Sequence, residues 1–420
     1  MIAATMTASP LPVTLDMIRA AEALIAGQLI RTPTVEAPAL SQRAGATIWA
    51  KLENLQVTGS FKPRGALVRM KQLSPAQARS GVIAMSAGNH AQGVAYHAGR
   101  LGVPATIVMP RETPFTKVER TRALGARVVL HGTNLTEAFD HAQLLAESDQ
   151  LTFVHPYDDP HVIAGQGTVA LEMLADAPAL DTIVVPIGGG GLISGIAIAA
   201  KALKPGIEIV GVEAELYPSM YQAINGLPAS SGGQTIAEGI AVKSPGRLNR
   251  QIVERLVDDI ILVGESAIER AVQILLEEQK LVAEGAGAAG FAAILDRPDR
   301  FRGRRVGFVL CGGNIDVRLL ASVAMRGLVR DGRLVRLRVE ISDSPGTLAR
   351  VAGLIGECGG NIIEIYHHRL FQDVPVKLAE LDAVIETRNA DHVRDITQRL
   401  AAAGFRARVL GSTNIGGETI

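Results

Sequence analysis

The chain has 420 residues, 47% of them hydrophobic, and its 42 Lys and Arg are balanced by 42 Asp and Glu. That length holds two or three units of ordinary domain size around a large apolar core. A zero formal charge gives none of the basic footprint of a nucleic-acid or anionic-membrane binder.

In chain order, Leu15, Ile18, Ala21 and Ile25 share one face of an amphipathic helix over 15–30. Thr47 to Leu52 reads as a strand and leads into a small polar turn that ends at Lys62. From Gly81 onward short apolar strands alternate with helices. Strands are expected at 81–85, 105–109, 127–130, 152–154, 182–186, 208–212, 260–263 and 305–310, and helices at 90–101, 116–124, 135–148, 162–174 and 193–203. Largely apolar strands separated by helices predict βαβ units with a buried parallel sheet, here in two lobes with the smaller within about 55–150. No apolar run reaches the roughly 18 residues of a bilayer span, and no basic leader precedes the first helix, so neither a membrane helix nor a signal peptide is expected.

Composition changes after Arg326, and the charged turn at 330–333 reads as part of a linker over 327–333. In 334–411, Leu337, Val339 and Ile341 alternate with Arg336, Arg338 and Glu340 as a half-buried strand. A helix bearing Leu348, Val351 and Ile355 follows, then strands at 362–368 and 378–387, a helix with Val393, Ile396 and Leu400, and a strand through Phe405, Ala407 and Val409. That order, βαββαβ, predicts a ferredoxin-like fold.

Four motifs carry chemistry. Lys62 lies between Phe61 and Pro63; in an apolar spot its ammonium is disfavoured, and a neutral amine is what attack on a carbonyl requires. Gly188, Gly189, Gly190 and Gly191 join a strand to a helix, where bare N–H groups can bind a phosphate. The rival is a dinucleotide site with Glu213 as its ribose-binding acid, but the third glycine of that fingerprint falls on Ile193 or Ser194. Ser86-Ala87-Gly88-Asn89-His90 follows a strand and opens a helix, so alone it reads as a cap. Cys311-Gly312-Gly313-Asn314 ends a strand; a lone Cys there is ordinarily a small buried hydrophobe. Neither the two cysteines, Cys311 and Cys358, nor the histidines have disulfide or metal-ligand spacing, and a reducing cytoplasmic home follows.

From about residue 15 to about residue 326 these motifs together resemble the serine/threonine dehydratase family of fold-type II pyridoxal-phosphate (PLP) enzymes. The resemblance implies an α/β catalytic region, 1–326, with two lobes like the β subunit of tryptophan synthase. It implies PLP as cofactor, with Lys62 linked to its aldehyde and, once released, taking the substrate's Cα proton. Phe61, Asn89, Gly239 and Cys311 would surround the cofactor, Asn89 at the phenolic oxygen and Cys311 at the ring nitrogen, with Gly188 to Gly191 on the phosphate. The family commonly has serine at the place of Cys311; a thiol is equally neutral but a poorer hydrogen-bond donor. Ser86, Gly88, Asn89 and His90 would bind the substrate carboxylate. Related racemases carry a serine where Ala87 stands, as the base on the opposite face of Cα, so one-faced elimination is implied. Those racemases also bind a divalent metal through an acid matching Glu213 and another six residues later; Ser219 stands there, and no metal is expected.

The implied reaction is dehydration and deamination of L-threonine to 2-oxobutanoate and ammonia, and of L-serine to pyruvate. The alternatives are a related lyase or racemase acting on serine or 3-hydroxyaspartate, and an inactive amino-acid sensor. Residues 334–411 resemble an ACT regulatory domain, which implies an amino-acid effector near Asp343, Gly346 and Asn361, and a homotetramer or homodimer.

Overall fold

Runs of Val, Ile and Ala become the strands of two parallel sheets. β1 (Thr34–Glu36), β2 (Thr47–Leu52), β7 (Thr182–Pro186), β8 (Glu208–Ala214), β9 (Asp259–Val263) and β10 (Arg305–Leu310) form a six-stranded sheet in the order β1-β2-β10-β7-β8-β9. Only the β1–β2 pair is antiparallel; β10 runs parallel to β2 with Leu310 opposite Leu52, and to β7 with Phe308 opposite Val184. Ile48, Ile183, Val184, Val210, Phe308 and Val309 are buried, as a sheet covered on both faces requires. β3 (Val82–Met85), β4 (Ala105–Met109), β5 (Arg127–Leu130) and β6 (Thr152–Phe153) form a second, wholly parallel sheet in the order β5-β4-β3-β6. This computed structural model describes residues 11–368 and 377–411, and the chain parts into two compact units, Met1–Ile315 and Asp316–Ile420.

In the first unit β2, β10 and β7 are neighbours and parallel, so their C-terminal ends face the same way. Those ends carry the Lys62 turn, Cys311 and the four glycines, the edge at which open α/β sheets bind ligands.

The expected helix over 15–30 is shorter, Leu15–Ile25, because the apolar period ends at Ile25 and Gly27 takes a left-handed φ of 71°. Helices at Arg247–Leu256, Glu265–Gln279 and Gly285–Asp296 were not anticipated by the alternation of strands. The boundary at 326 also needs correction. A helix, Val317–Arg330, capped by Asp316, runs across it and belongs to the second unit, so only 331–333 of the expected linker lie between helix and strand.

The second unit holds β11 (Leu334–Ser342), β12 (Asn361–His368), β13 (Leu378–Glu386) and β14 (Arg406–Val409) in an antiparallel sheet of order β12-β13-β11-β14. The helices Thr347–Glu357 and Ala390–Ala402 complete the βαββαβ order of a ferredoxin-like fold. Leu337, Val339, Ile341, Leu381, Ala383, Val351, Ile355 and Ile396 form its core. No helix among the described residues is long and apolar enough to cross a membrane.

Candidate active site

The turn after β2 is built from backbone before side chains. Thr58 takes a left-handed φ of 62° and Gly59 one of 72°, a strained bend for a β-branched residue. Asn314 Nδ2 donates to the Thr58 carbonyl at 2.7 Å and helps hold that bend. The next residues zip onto the end of β10: Gly313 N donates to Gly59 O at 2.9 Å, Phe61 N donates to Cys311 O at 3.1 Å, and Ser60 bridges Gly312. Lys62 then opens the helix Lys62–Lys71 with Pro63 at its start.

Beneath the turn, Arg64 is clamped by Glu53, Glu172 and Thr168, and Lys51 reaches Glu172 and the Thr32 carbonyl. Lys62 Nζ donates to the Pro156 carbonyl at 2.9 Å and lies 5.2 Å from the centre of the Phe61 ring. Burial lowers the amine to about 8, against the opposing influence of Cys311 and Glu284. About a tenth of the amine is therefore uncharged at pH 7, far more than for an exposed lysine.

The tetraglycine loop leads from β7 into the helix Gly191–Leu203, with Gly190 at a φ of 96°. The Gly189 carbonyl accepts from Asn249 Nδ2 at 2.9 Å and from Gly246 N at 3.0 Å. In a trans peptide the next N–H points the opposite way, so the N–H of Gly190 faces away from that collar. No acceptor among the described residues takes the N–H groups of Gly188, Gly189, Gly190 or Gly191. Bare donors at a helix N-terminus are a phosphate site in waiting. A Cβ on Gly189 would overlap the ring of Tyr157, whose carbonyl is held by Asn249 Nδ2 at 3.0 Å. On the other side, a Cβ on Gly188 would come within 3.3 Å of the Gly239 carbonyl.

Gly88 precedes the helix Asn89–Leu101, and a Cβ there would meet nothing within 4 Å, leaving open space at that helix N-terminus. Ser86 Oγ accepts from Gly88 N at 3.1 Å. Gly93 brings this helix against the lysine turn: a Cβ there would lie 3.1 Å from Pro63 N. His90 is buried, and its Nε2 is bonded to the Val154 carbonyl at 2.8 Å. Burial, helped by the Lys62 charge, drops its imidazole to about 3. The ring is neutral, so any hold of His90 on a carboxylate comes through its main-chain N–H. Cys311 is buried at the end of β10, and burial pushes its thiol up, so it stays protonated.

The structure brings together Phe61, Lys62, Asn89, Gly239, Cys311 and the glycine loop. It does not bring together Asp343, Gly346 and Asn361. Asn361 pairs with Glu386, which pairs with Leu334, whereas Asp343 follows Ser342 at the far end of β11. Eight residue steps of strand separate the two ends, about 27 Å. Gly346, with a φ of 85°, sits at the start of the helix Thr347–Glu357, near Asp343. Glu213 is also not free for a ligand: its two oxygens accept from Met220 N and Tyr221 N, each at 2.8 Å. Among the described residues no group of three or more His, Cys, Asp or Glu is placed to hold a metal.

Several residues of the site were given no role from the sequence. Tyr157 and Asn249 grip the glycine loop, Arg64 and Glu53 underpin the lysine, and Glu284 and Asn314 bond to Asn89. Their partners lie too far along the chain for spacing to reveal.

A buried amine of lowered pKa at one place and unpaired N–H groups at another are the two handles needed by an aldehyde that carries a phosphate. Comparison with known proteins agrees. A family model described as pyridoxal-phosphate dependent enzyme matches residues 25–312. The L-threonine ammonia-lyase of Thermotoga maritima is 43% identical over 401 residues, 95% of this chain and 100% of that relative. The processed form of threonine deaminase isoform 2 from Solanum lycopersicum superposes with a TM-score of 0.70 at 36% identity, covering 74% of this chain and 86% of that one. Serine racemase from Dictyostelium discoideum gives a TM-score of 0.69 at 34% identity over 73% of this chain and 100% of its own. The chain belongs to the family of pyridoxal-phosphate dependent enzymes.

Proposed function

We propose that this enzyme dehydrates and deaminates L-threonine to 2-oxobutanoate and ammonia, and acts likewise on L-serine to give pyruvate. The observation that carries the reading is the pairing of a buried, readily neutral Lys62 with the unpaired N–H groups of Gly188 to Gly191. The T. maritima relative, matched over its whole length, carries the name of this activity.

Lys62 would hold the aldehyde end of the cofactor and Gly188 to Gly191 its phosphate, with Asn89 at the phenolic oxygen, Gly239 alongside and Cys311 at the ring nitrogen. When bound, PLP supplies an electron sink for the bond broken at Cα. Every other task falls to the chain. Main-chain N–H groups after Gly88, at the start of the helix Asn89–Leu101, bind the substrate carboxylate with the favourable end of the helix dipole. Lys62, displaced by the substrate amine, takes the Cα proton on Nζ, and its lowered pKa matches it to that task near neutral pH. The β-hydroxyl leaves as water, its extra proton balanced by the one taken from Cα, and a second water hydrolyses the released enamine, as its imine tautomer, to the oxo acid and ammonia. Cys311, a protonated thiol, places no charge against the ring nitrogen.

Racemisation would need a second base on the opposite face of Cα, and Ala87 has no group to serve. Product analysis separates the two readings: 2-oxobutanoate from L-threonine supports elimination, and D-serine as main product from L-serine defeats it. Borohydride treatment of the holoenzyme should fix the cofactor on Lys62, and Lys62→Ala should abolish both fixation and turnover. Near-normal dehydration by that variant would sink the assignment.

The proposal extends to regulation. The second unit acts as an ACT domain that binds a branched-chain amino acid, isoleucine or valine, in a homotetramer or homodimer serving isoleucine biosynthesis in the cytoplasm. Asp343 and Asn361, at opposite ends of one sheet, would share a ligand only across two copies of the unit. Binding of isoleucine measured by calorimetry, with and without Asp343→Ala, tests this.

A further inference from the structure

Glu284 is a carboxyl that the reaction just described leaves unused. It stands immediately before the helix Gly285–Asp296, with its main-chain N–H bonded to Gly312 O at 3.1 Å. Its side chain is boxed by two glycines: a Cβ on Gly312 would overlap Oε1, and one on Gly239 would lie 3.4 Å from it. Within that box Oε1 accepts from Asn89 Nδ2 at 2.7 Å.

The other end of the Asn89 amide is equally engaged. Asn314 Nδ2 donates to Asn89 Oδ1 at 2.8 Å and to the Thr58 carbonyl at 2.7 Å. A main-chain carbonyl can only accept, so it fixes which end of the Asn314 amide faces it. The same Nδ2 then demands an acceptor on Asn89, which fixes Oδ1 there and turns Nδ2 towards Glu284. Two donors sit on that nitrogen and Glu284 takes one. One N–H remains for a third partner.

We propose that Glu284 is a positioning residue for this reaction: with Asn314 it locks the Asn89 amide so that an N–H, rather than the oxygen, is presented to the phenolic oxygen of PLP. The inference rests on the cofactor reading given above. A phenolate needs a donor, and an amide free to rotate would present its acceptor for part of the time. The groups that face the carboxyl are Asn89, Lys117, Glu238, Lys62 and Cys311. Lost hydration pushes Glu284 up to about 7; the Asn89 hydrogen bond and the lysines oppose that rise, and Glu238 adds to it. Protonated or not, the carboxyl keeps an oxygen that accepts from Asn89, so glutamine at 284 can imitate its neutral form.

The test uses the full-length holoenzyme as wild type, Glu284→Ala and Glu284→Gln. Wild type that borohydride does not fix on Lys62 would defeat the cofactor reading itself. With fixation intact, the readouts are the visible absorbance band of bound PLP, which reports hydrogen bonding at the phenolic oxygen, and the split between kcat and KM. Glu284→Ala should displace the band and lower kcat about tenfold or more, with KM within about threefold. Glu284→Gln should recover the band and most of the lost kcat. A wild-type band and kcat in Glu284→Ala, or a Gln variant as impaired as the Ala variant, overturns the proposal. Should Glu284→Ala not fold, Asn314→Ala removes the other half of the lock and must displace the band too; an unmoved band in that variant overturns the proposal equally.

Discussion

Glu53 takes two of the five N–H groups of Arg64: Nε donates to Oε2 and Nη2 to Oε1, each at 2.8 Å. The other three go to Glu172 Oε1 at 2.7 Å, Glu172 Oε2 at 2.8 Å and Thr168 Oγ1 at 3.1 Å, so every donor of a fully buried guanidinium is used. The fork sits two residues after Lys62 and ties its helix to the strand end at Glu53 and to the helix Pro160–Asp176.

Removing the fork strands the buried carboxylate of Glu53 and takes from the half-buried Glu172 one of its two cations, leaving it Lys51. Arg64→Ala should lower the unfolding free energy by about 3–5 kcal/mol, read from urea denaturation. Arg64→Lys should recover little, because an ammonium cannot match two carboxylates bidentately. Unchanged urea midpoints in both variants would contradict this account of the turn.

The Lys62 amine, lowered by burial from 10.5 to about 8, sets a pH dependence on cofactor capture. The neutral form predominates above its pKa, so capture of PLP by the apoenzyme should quicken about tenfold per pH unit up to about 8 and then level off. The folded state binds fewer protons at this amine than the unfolded chain between about 8 and 10.5, so its burial is unfavourable below 8 and that penalty fades as pH rises through this window. Stopped-flow absorbance across pH 6 to 9 checks the first expectation; a flat profile would refute it.

Gly189 has no room for a side chain, because the Tyr157 ring occupies the place of its Cβ. Gly189→Ala must displace either the ring or the loop, and PLP affinity should fall about tenfold or more. Adding Tyr157→Ala should restore part of it, since neighbouring sites are not additive. Titration of apoenzyme with PLP measures both.

In the second unit, the fully buried carboxylate of Asp382 accepts from Arg338 at 2.7 and 2.9 Å and from Arg336 at 2.6 Å. The Arg338 hydrogen bond, then that from Arg336, holds it at about 2, below the usual 3.8. Its stabilisation is present above the ordinary carboxylate range and is lost as pH falls through about 2. Asp382→Asn should destabilise this unit by about 2 kcal/mol at neutral pH, visible by calorimetry of the full chain.

The strands were legible because apolar runs bounded by breakers are local signals: 47–52, 105–109, 127–130, 182–186 and 305–310 fall where the sequence places them. The helix Gly285–Asp296 was not legible, since three glycines in its twelve residues argue against helix on propensity. Packing explains one of them: a Cβ on Gly287 would overlap the Gly312 carbonyl at the end of β10. The chemistry divides in the same way. Lys62 and the glycine loop announce themselves in a few adjacent residues, whereas Asn89 and Glu284 are 195 positions apart and Arg64 and Glu172 are 108 apart. Only the folded sheets make those pairs neighbours.

Between Gly59, Ser60 and Phe61 on one side and Cys311, Gly312 and Gly313 on the other, the grip of the β10 end on the lysine turn is made of main-chain contacts. With Cys311 at the ring nitrogen as proposed, exchanging its thiol for a hydroxyl would retune the ring without touching the main-chain bonds that aim Lys62. On that proposal reactivity and alignment are separate dials, and the side chain at 311 turns only the first.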